Sequence, residues 1–320
     1  MNIVCATDDN YIQHCCVMLV SLLCNNKDVN VYILTEGLKP ENQSIIRDEV
    51  EHYRGIVHFC IVDGSKLTGL PLSRREDLNH ISMATYYRLL IAKLLPEEVE
   101  KIIYLDCDIV INGSLEELWN TNLEGLAAAA ILQIGYGFEA ERLGYPIEYG
   151  YFNAGVNMLN LRYFRENNLT ERFFKYLEEH GHELVYNDQD VMNAVLYDKC
   201  IHVMPQWNMT PSCYDLGLNK RGEKRNGVVI YDYKAEKNNI KRFGNNPNIV
   251  HYASKVKPWH DNCTHPLSHL YFVYAHKTLH YRNVKQQKEM YRKIAVWKQQ
   301  MLGIAYYIKQ CISKTDKTWM

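Results

Sequence analysis

The stretch Lys101-Ile-Ile-Tyr-Leu-Asp-Cys-Asp-Ile-Val110 constrains this chain more than any other. Residues that favour a buried strand run into two carboxylates one residue apart, Asp106 and Asp108, and then directly into more β-branched apolar residues. A carboxylate in such a run is costly without a counter-charge. Two of them at a strand end predict a divalent cation, Mn²⁺ or Mg²⁺, because hard oxygen ligands suit these ions and leave positions open to the phosphates of a nucleotide. The competing reading is a turn in which Asp caps a following amide.

Around this stretch, apolar runs with the character of strands alternate with helical patterns. Residues 3–6, 29–35, 56–62, 101–106, 126–132, 151–159 and 249–253 read as strands. Residues 14–25, 40–53, 86–95, 161–180 and the segment opening at Asn187 read as helices, with Pro40 as a start, Ser82 as a cap and Pro96 as a stop. Ser114-Leu-Glu-Glu117 has the spacing of a capping box for a short helix through Leu118 and Trp119. The alternation predicts an α/β fold with a mostly parallel sheet covered on both faces, and ligands at the carboxyl ends of its strands, where Asp8, Asp9 and Asn10 fall. Residues 135–150, with four Gly, one Pro and three Tyr, read as a long binding loop. Residues 205–244 read as irregular apart from a strand at 228–233.

Composition sets further bounds. A chain of 320 residues with 47% apolar residues can bury one large or two modest domains. The near-balance of 36 basic and 37 acidic residues hides an asymmetry: residues 276–320 carry ten Lys or Arg against Glu289 and Asp316, a net +8, which leaves −9 for the rest. The acidic body argues against a nucleic-acid partner. Ile294, Trp297, Met301, Ala305, Ile308 and Ile312 recur on one helical face of the basic tail, the pattern of a helix lying on an anionic membrane; a helix packed on the domain with a solvated basic side is the alternative. The expected organisation is therefore a catalytic body at 1–265 and a helical, membrane-surface-associating tail at 266–320. Ten cysteines without a Cys-x-x-Cys spacing, and apolar runs too short to span a bilayer, lead us to expect a cytoplasmic protein, peripheral on the inner face of the cell membrane.

Three more stretches join the acidic pair. His251, at a strand end, can complete an octahedral oxygen and nitrogen site with Asp106 and Asp108, although a satisfied core histidine is the alternative. Lys257 lies within reach of a bound phosphate, and Arg88 and Lys93 sit on the helix before the acidic strand. The set Ala6-Thr-Asp-Asp-Asn-Tyr11, His80-Ile-Ser82, Thr85-Tyr-Tyr-Arg88, Tyr104-Leu-Asp-Cys-Asp108, Tyr151-Phe-Asn-Ala-Gly-Val156, Asn187-Asp-Gln-Asp190 and His251-Tyr252, with Lys257-Pro-Trp-His260, resembles the family 8 glycosyltransferases, the retaining group that includes lipooligosaccharide galactosyltransferases and glycogenin. The resemblance runs from residue 3 to about 263, roughly four-fifths of the chain.

That resemblance implies a GT-A fold, a Rossmann-like mixed sheet flanked by helices. It implies a UDP-galactose or UDP-glucose donor, a glycan or glycolipid acceptor of the kind met in lipopolysaccharide synthesis, and Mn²⁺ or Mg²⁺ held by Asp106, Asp108 and His251. It places Ala6, Thr7, Asp8, Asn10, Tyr11, His80, Cys107 and Lys257 around the nucleotide, with the Tyr11 ring on uracil. Arg88, Asn153, Asp188 and Gln189 surround the sugar, and Asp188, Gln189 and Asp190 are the candidates for its reacting face; a helix cap is the alternative for either Asp. An amide at Gln189 is a poor nucleophile, which favours attack on the same face that the diphosphate leaves. Ser254 followed by Lys255 departs from the family's Gly, and Lys255 either adds a phosphate contact or faces solvent. A nucleotidyltransferase and a non-catalytic nucleotide-sugar sensor are the rival readings. No obligate protein partner is expected.

Overall fold

The computed structural model describes residues 1–67, 69–71, 83–214, 224–225, 228–229 and 233–280. His80 and the helical pattern of 294–312 lie outside the described residues.

Seven strands form one sheet: β1 Asn2–Ala6, β2 Asn30–Thr35, β3 Ile56–Ile61, β4 Lys101–Leu105, β6 Ala128–Leu132, β7 Phe152–Asn160 and β8 Cys200–His202, ordered β3-β2-β1-β4-β7-β6-β8. The first four are mutually parallel and β6 and β8 run the same way, whereas β7 runs antiparallel to both β4 and β6, so the sheet is mostly parallel, as expected, and mixed only through β7. The short β5, Ile109–Ile111, leaves the main sheet and pairs antiparallel with β11, Ile249–His251; β9 Lys224–Arg225 and β10 Val228–Val229 form a separate two-stranded ribbon.

Central strands are apolar on both faces because helices cover both. Ile3, Val4 and Cys5 of β1 are fully buried, as are Ile102, Ile103 and Leu105 of β4. Ile12–Asn25 packs on one face through Cys15, Met18, Leu19 and Leu22, and Tyr86, Leu89 and Ile91 fill the other. Ser268–Ala275 lies along Ile12–Asn25, where Tyr271 and Tyr274 pack with Val17, Val110 and Val250, and the Tyr271 and Tyr274 hydroxyls bond His14 Nδ1 at 2.7 Å and Asn25 Nδ2 at 2.8 Å.

Several expectations from the sequence are corrected. The stretch read as one helix at 161–180 is two, Leu161–Glu166 and Leu169–His180, separated at Asn168, which adopts a left-handed φ of 48° that Asn tolerates better than most residues. The segment at 86–95 is mainly a 3₁₀ helix, Met83–Leu90, followed by one α turn. The stretch 135–150 is not a plain loop: it contains the helix Phe138–Arg142. The irregular region holds a further helix, Tyr233–Phe243, where the end of the strand expected at 228–233 would have been.

Candidate active site

The site is built where β4 ends. After Leu105 the chain turns through Asp106-Cys107-Asp108 into β5, and β11 lies beside β5 with His251 opposite Ile109. This register brings His251 Nε2 to 3.2 Å from Asp108 Oδ1 and 3.8 Å from Asp106 Oδ2, and one ligand atom of each residue lies within 4.8 Å of the other two. The neighbouring strand is adapted to the same spot. Between Ala130 and Ile131 of β6 the partner residue on β7 jumps from Asn157 to Asn153, a bulge that presents Asn153, Ala154 and Gly155 to the acidic turn. The Asp106 N–H donates to Gly155 O at 2.9 Å. A Cβ on Gly155 would stand 2.3 Å from His251 Cε1 and 2.5 Å from Asp106 Oδ2, so only hydrogen fits there.

Each carboxylate meets a protein cation. Arg88, buried, donates from Nη2 to Asp106 Oδ1 at 2.8 Å and from Nη1 to Ala154 O at 2.6 Å, forms an ion pair from Nε to Asp188 Oδ2 at 2.9 Å, and rests its guanidinium 4.3 Å from the centre of the Tyr104 ring. Lys257 Nζ donates to Asp108 Oδ2 at 2.5 Å and to Tyr252 O at 2.8 Å. Burial disfavours charge on Asp108, but Lys257 and His251 outweigh it and hold this carboxyl well below the usual range. Asp188 is the reverse: burial pushes it up to about 6 despite Arg88 and the Thr85 hydroxyl that donates to it.

A line of amides extends from the histidine. His251 Nδ1 pairs with Asn208 Oδ1 at 2.8 Å, which orients the ring with Nε2 toward the carboxylates. Asn208 Nδ2 donates to Asn153 Oδ1 at 2.8 Å, and Asn153 Nδ2 donates to Gln189 Oε1 at 3.0 Å. Gln189 Oε1 also accepts from the Ala154 N–H at 3.0 Å, so both of its lone pairs are engaged. Asn208 escaped sequence reading because it stands in the irregular region; its place is fixed by Met209, whose N–H bonds Ile249 O and whose carbonyl accepts from His251 N.

The structure brings most of the expected residues together. Ala6 closes β1 beside the acidic turn, and the Cys107 thiol donates to Ala6 O at 3.2 Å. Thr7 is buried, Asp8 accepts from the Asn10 N–H at 2.9 Å, and Tyr11 packs edge-on to Trp259 and His14. Asp190 points elsewhere. It is fully buried, and its oxygens take Arg142 Nη2 at 2.7 Å, Tyr151 OH at 2.7 Å and the Val185 and Tyr186 N–H groups at 2.7 and 2.9 Å. Lys93 forms an exposed pair with Glu171, away from the site, and Lys255 is exposed to solvent.

The arrangement fits a divalent cation: two carboxylates and an imidazole converge, the imidazole is oriented by an amide, and a glycine leaves room beside them. Comparison with known proteins places the chain in a consistent company. The family model described as Glycosyl transferase family 8 matches residues 2–263. General stress protein A of Bacillus subtilis (strain 168) is 30% identical over 284 residues, 87% of this chain and 94% of that protein. A lipopolysaccharide 1,2-glucosyltransferase of Escherichia coli is 26% identical over 332 residues, 98% of this chain and 91% of its own. Among solved structures, the galactosyltransferase LgtC in complex with donor and acceptor sugar analogs superposes with a TM-score of 0.77 at 24% identity, covering 90% of this chain and all of that one, and thereby fixes the GT-A fold.

Proposed function

Because this chain belongs to glycosyl transferase family 8, we propose that it transfers galactose or glucose from a UDP-sugar to a hydroxyl of a glycan, with retention of configuration. The observation that carries this reading is the convergence of Asp106, Asp108 and His251 at the end of β4, next to the Asp188-Gln189 segment and joined to it by Arg88 and by the Asn208-Asn153 amides. A divalent cation, Mn²⁺ or Mg²⁺, held by those three residues would supply Lewis-acid stabilisation of the diphosphate as it leaves.

The remaining roles belong to the chain itself. Ala6, Thr7, Asp8, Asn10 and Tyr11, with Cys107, form the side of the cleft that takes the nucleoside, and the amphipathic Tyr11 ring offers a stacking face for uracil. Lys257 already stands at the acidic turn and can share its ammonium with a diphosphate oxygen, offsetting the charge that develops there. Arg88 fixes Asp106 and Asp188 relative to one another, and Asn153 and Asp188 face the sugar. Gln189 Oε1 is held by two N–H donors, which opposes its use as a nucleophile and supports attack by the acceptor hydroxyl on the face that the diphosphate leaves, with the proton passing to a phosphate oxygen. The first test is UDP release from UDP-galactose and from UDP-glucose, each with Mn²⁺ and with chelator. Metal-dependent release from one donor, largely retained in Gln189→Ala, is the expected result; release of pyrophosphate, or UDP binding with no turnover against any glycan acceptor, would overturn the reading.

The acceptor belongs, in this reading, to a lipid-linked glycan at the inner membrane surface. Its support is the +8 charge of residues 276–320 and the lipopolysaccharide substrate in the name of the E. coli relative. Among the described residues no helix is long and apolar enough to cross a membrane. Truncation after His280 should abolish co-sedimentation with anionic vesicles while sparing transfer to a water-soluble acceptor, and undiminished co-sedimentation would refute the membrane role.

A further inference from the structure

A second set of donor atoms converges one layer beneath the acidic turn. Cys5 comes from β1, Cys15 from the helix Ile12–Asn25 and Cys107 from the turn itself, and their three sulfurs lie within 4.8 Å of one another. Cys5 and Cys15 are fully buried and Cys107 is 7% exposed. A single buried cysteine is ordinary core packing. Three thiols delivered to one point by three separate elements, none of them in a disulfide, form a ligand set.

The spacing agrees with metal–sulfur chemistry. Zn–S bonds of about 2.3 Å at a tetrahedral angle separate neighbouring sulfurs by roughly 3.8 Å, and a larger soft ion widens this slightly, which the 4.8 Å limit admits. An oxygen is at hand for a fourth position, since Ala6 O lies 3.2 Å from Cys107 Sγ. The sulfurs also differ in kind from the oxygen and nitrogen ligands above them, and thiolates select soft or borderline cations over Mg²⁺ or Mn²⁺. We infer that Cys5, Cys15 and Cys107 form a second metal site, for a thiophilic divalent cation such as Zn²⁺ or Cd²⁺, distinct from that of Asp106, Asp108 and His251. Binding releases the thiol protons to solvent and enters by way of Cys107. Cys107 separates the two aspartates, so the occupied site ties the acidic turn to β1 and to the helix behind it; a resulting loss of transfer rests on the proposed function, whereas the binding itself does not.

The test is a cadmium titration of the full chain, kept reduced with a phosphine and in excess Mg²⁺ so that oxygen ligands are already served. A thiolate-to-cadmium charge-transfer band that saturates at one equivalent is expected. Cys5→Ala and Cys15→Ala should each lower its intensity to about two-thirds and weaken binding at least about tenfold, and Cys24→Ser, at an exposed thiol, should change neither. Absence of the band, or full intensity in both alanine variants, would overturn the inference. A measurement on the unsubstituted protein covers the case in which those variants misfold: a cadmium-113 resonance in the thiolate-rich range supports the site, and one in the oxygen-rich range refutes it.

Discussion

The chain contains two Asp-x-Asp pairs close in space, and their fates differ. Asp106 and Asp108 follow a strand and enter a turn, and both carboxylates reach the same imidazole. Asp188 and Asp190 open the helix Asp188–Leu196, where residues two apart point about 200° away from each other. One turns to Arg88 and Thr85 at the site, the other to Arg142, Tyr151 and two backbone N–H groups on the far side. Side-chain exposure follows the same division, 27% and 14% for the first pair against 7% and 0% for the second. Identical spacing thus yields a converging pair in a turn between two strands and a divided pair on a helix. The backbone beneath a carboxylate pair, not the motif, decides whether it can share one cation.

The largest expected effects test that division directly. Asp108→Asn removes a converging charge and leaves Lys257 and His251 facing an amide, so turnover should fall by about 10³-fold with the fold intact. Asp190→Ala should do the opposite. It takes away the buried carboxylate that Arg142 and Tyr151 share, leaving Arg142 with Glu139 alone, and costs about 3 kcal/mol of stability, with little change in rate per folded molecule. Steady-state rates and thermal unfolding of the two variants, side by side, check the contrast. Should Asp190→Ala lose turnover at full stability, the helix pair is not divided as described.

A smaller effect probes why the first pair converges. Gly155 sits in the β7 bulge against His251 and Asp106, and an added methyl must push one of them aside. Gly155→Ala should weaken Mn²⁺ affinity by roughly 10–100-fold, as disturbance of groups that position metal ligands commonly does. Isothermal titration with Mn²⁺ reads this, and wild-type affinity would show that the turn can shift without loss.

Much of the converging pair was legible beforehand, because a strand, an acidic turn and a second strand ending in His251 are each local patterns, and both strands formed where expected. The helix pair was less so. The spacing groups Asp190 with Asp188 and Gln189 at the sugar, and what separates it is Arg142, carried by a helix in a stretch whose glycines read as loop. Asn208 was invisible for a related reason: nothing periodic marks it, and only the long-range bonds of Met209 to β11 fix it beside His251. The bulge in β7 likewise depends on pairing with β6, a contact that no window of sequence contains.

The smallest effect concerns protons and separates the members of the divided pair. Burial raises Asp188 to about 6, whereas an unfolded Asp titrates near 3.8. Between these values the folded chain holds a proton that the unfolded chain has lost, so the Asp188 contribution to stability is greatest below about 3.8 and is lost as pH rises through 6. Asp188→Asn cannot lose that proton. Its stability relative to wild type should therefore be most favourable at pH 7 and should decline as pH falls toward 4. Asp190→Asn serves as the comparison from the other face of the helix, where the carboxylate is held by Arg142 and three further donors. The measurement is the difference in Tm between each variant and wild type across that range. A difference for Asp188→Asn that grows on acidification would mean that Arg88, not burial, governs this carboxylate, and that Asp188 belongs electrostatically with Asp108.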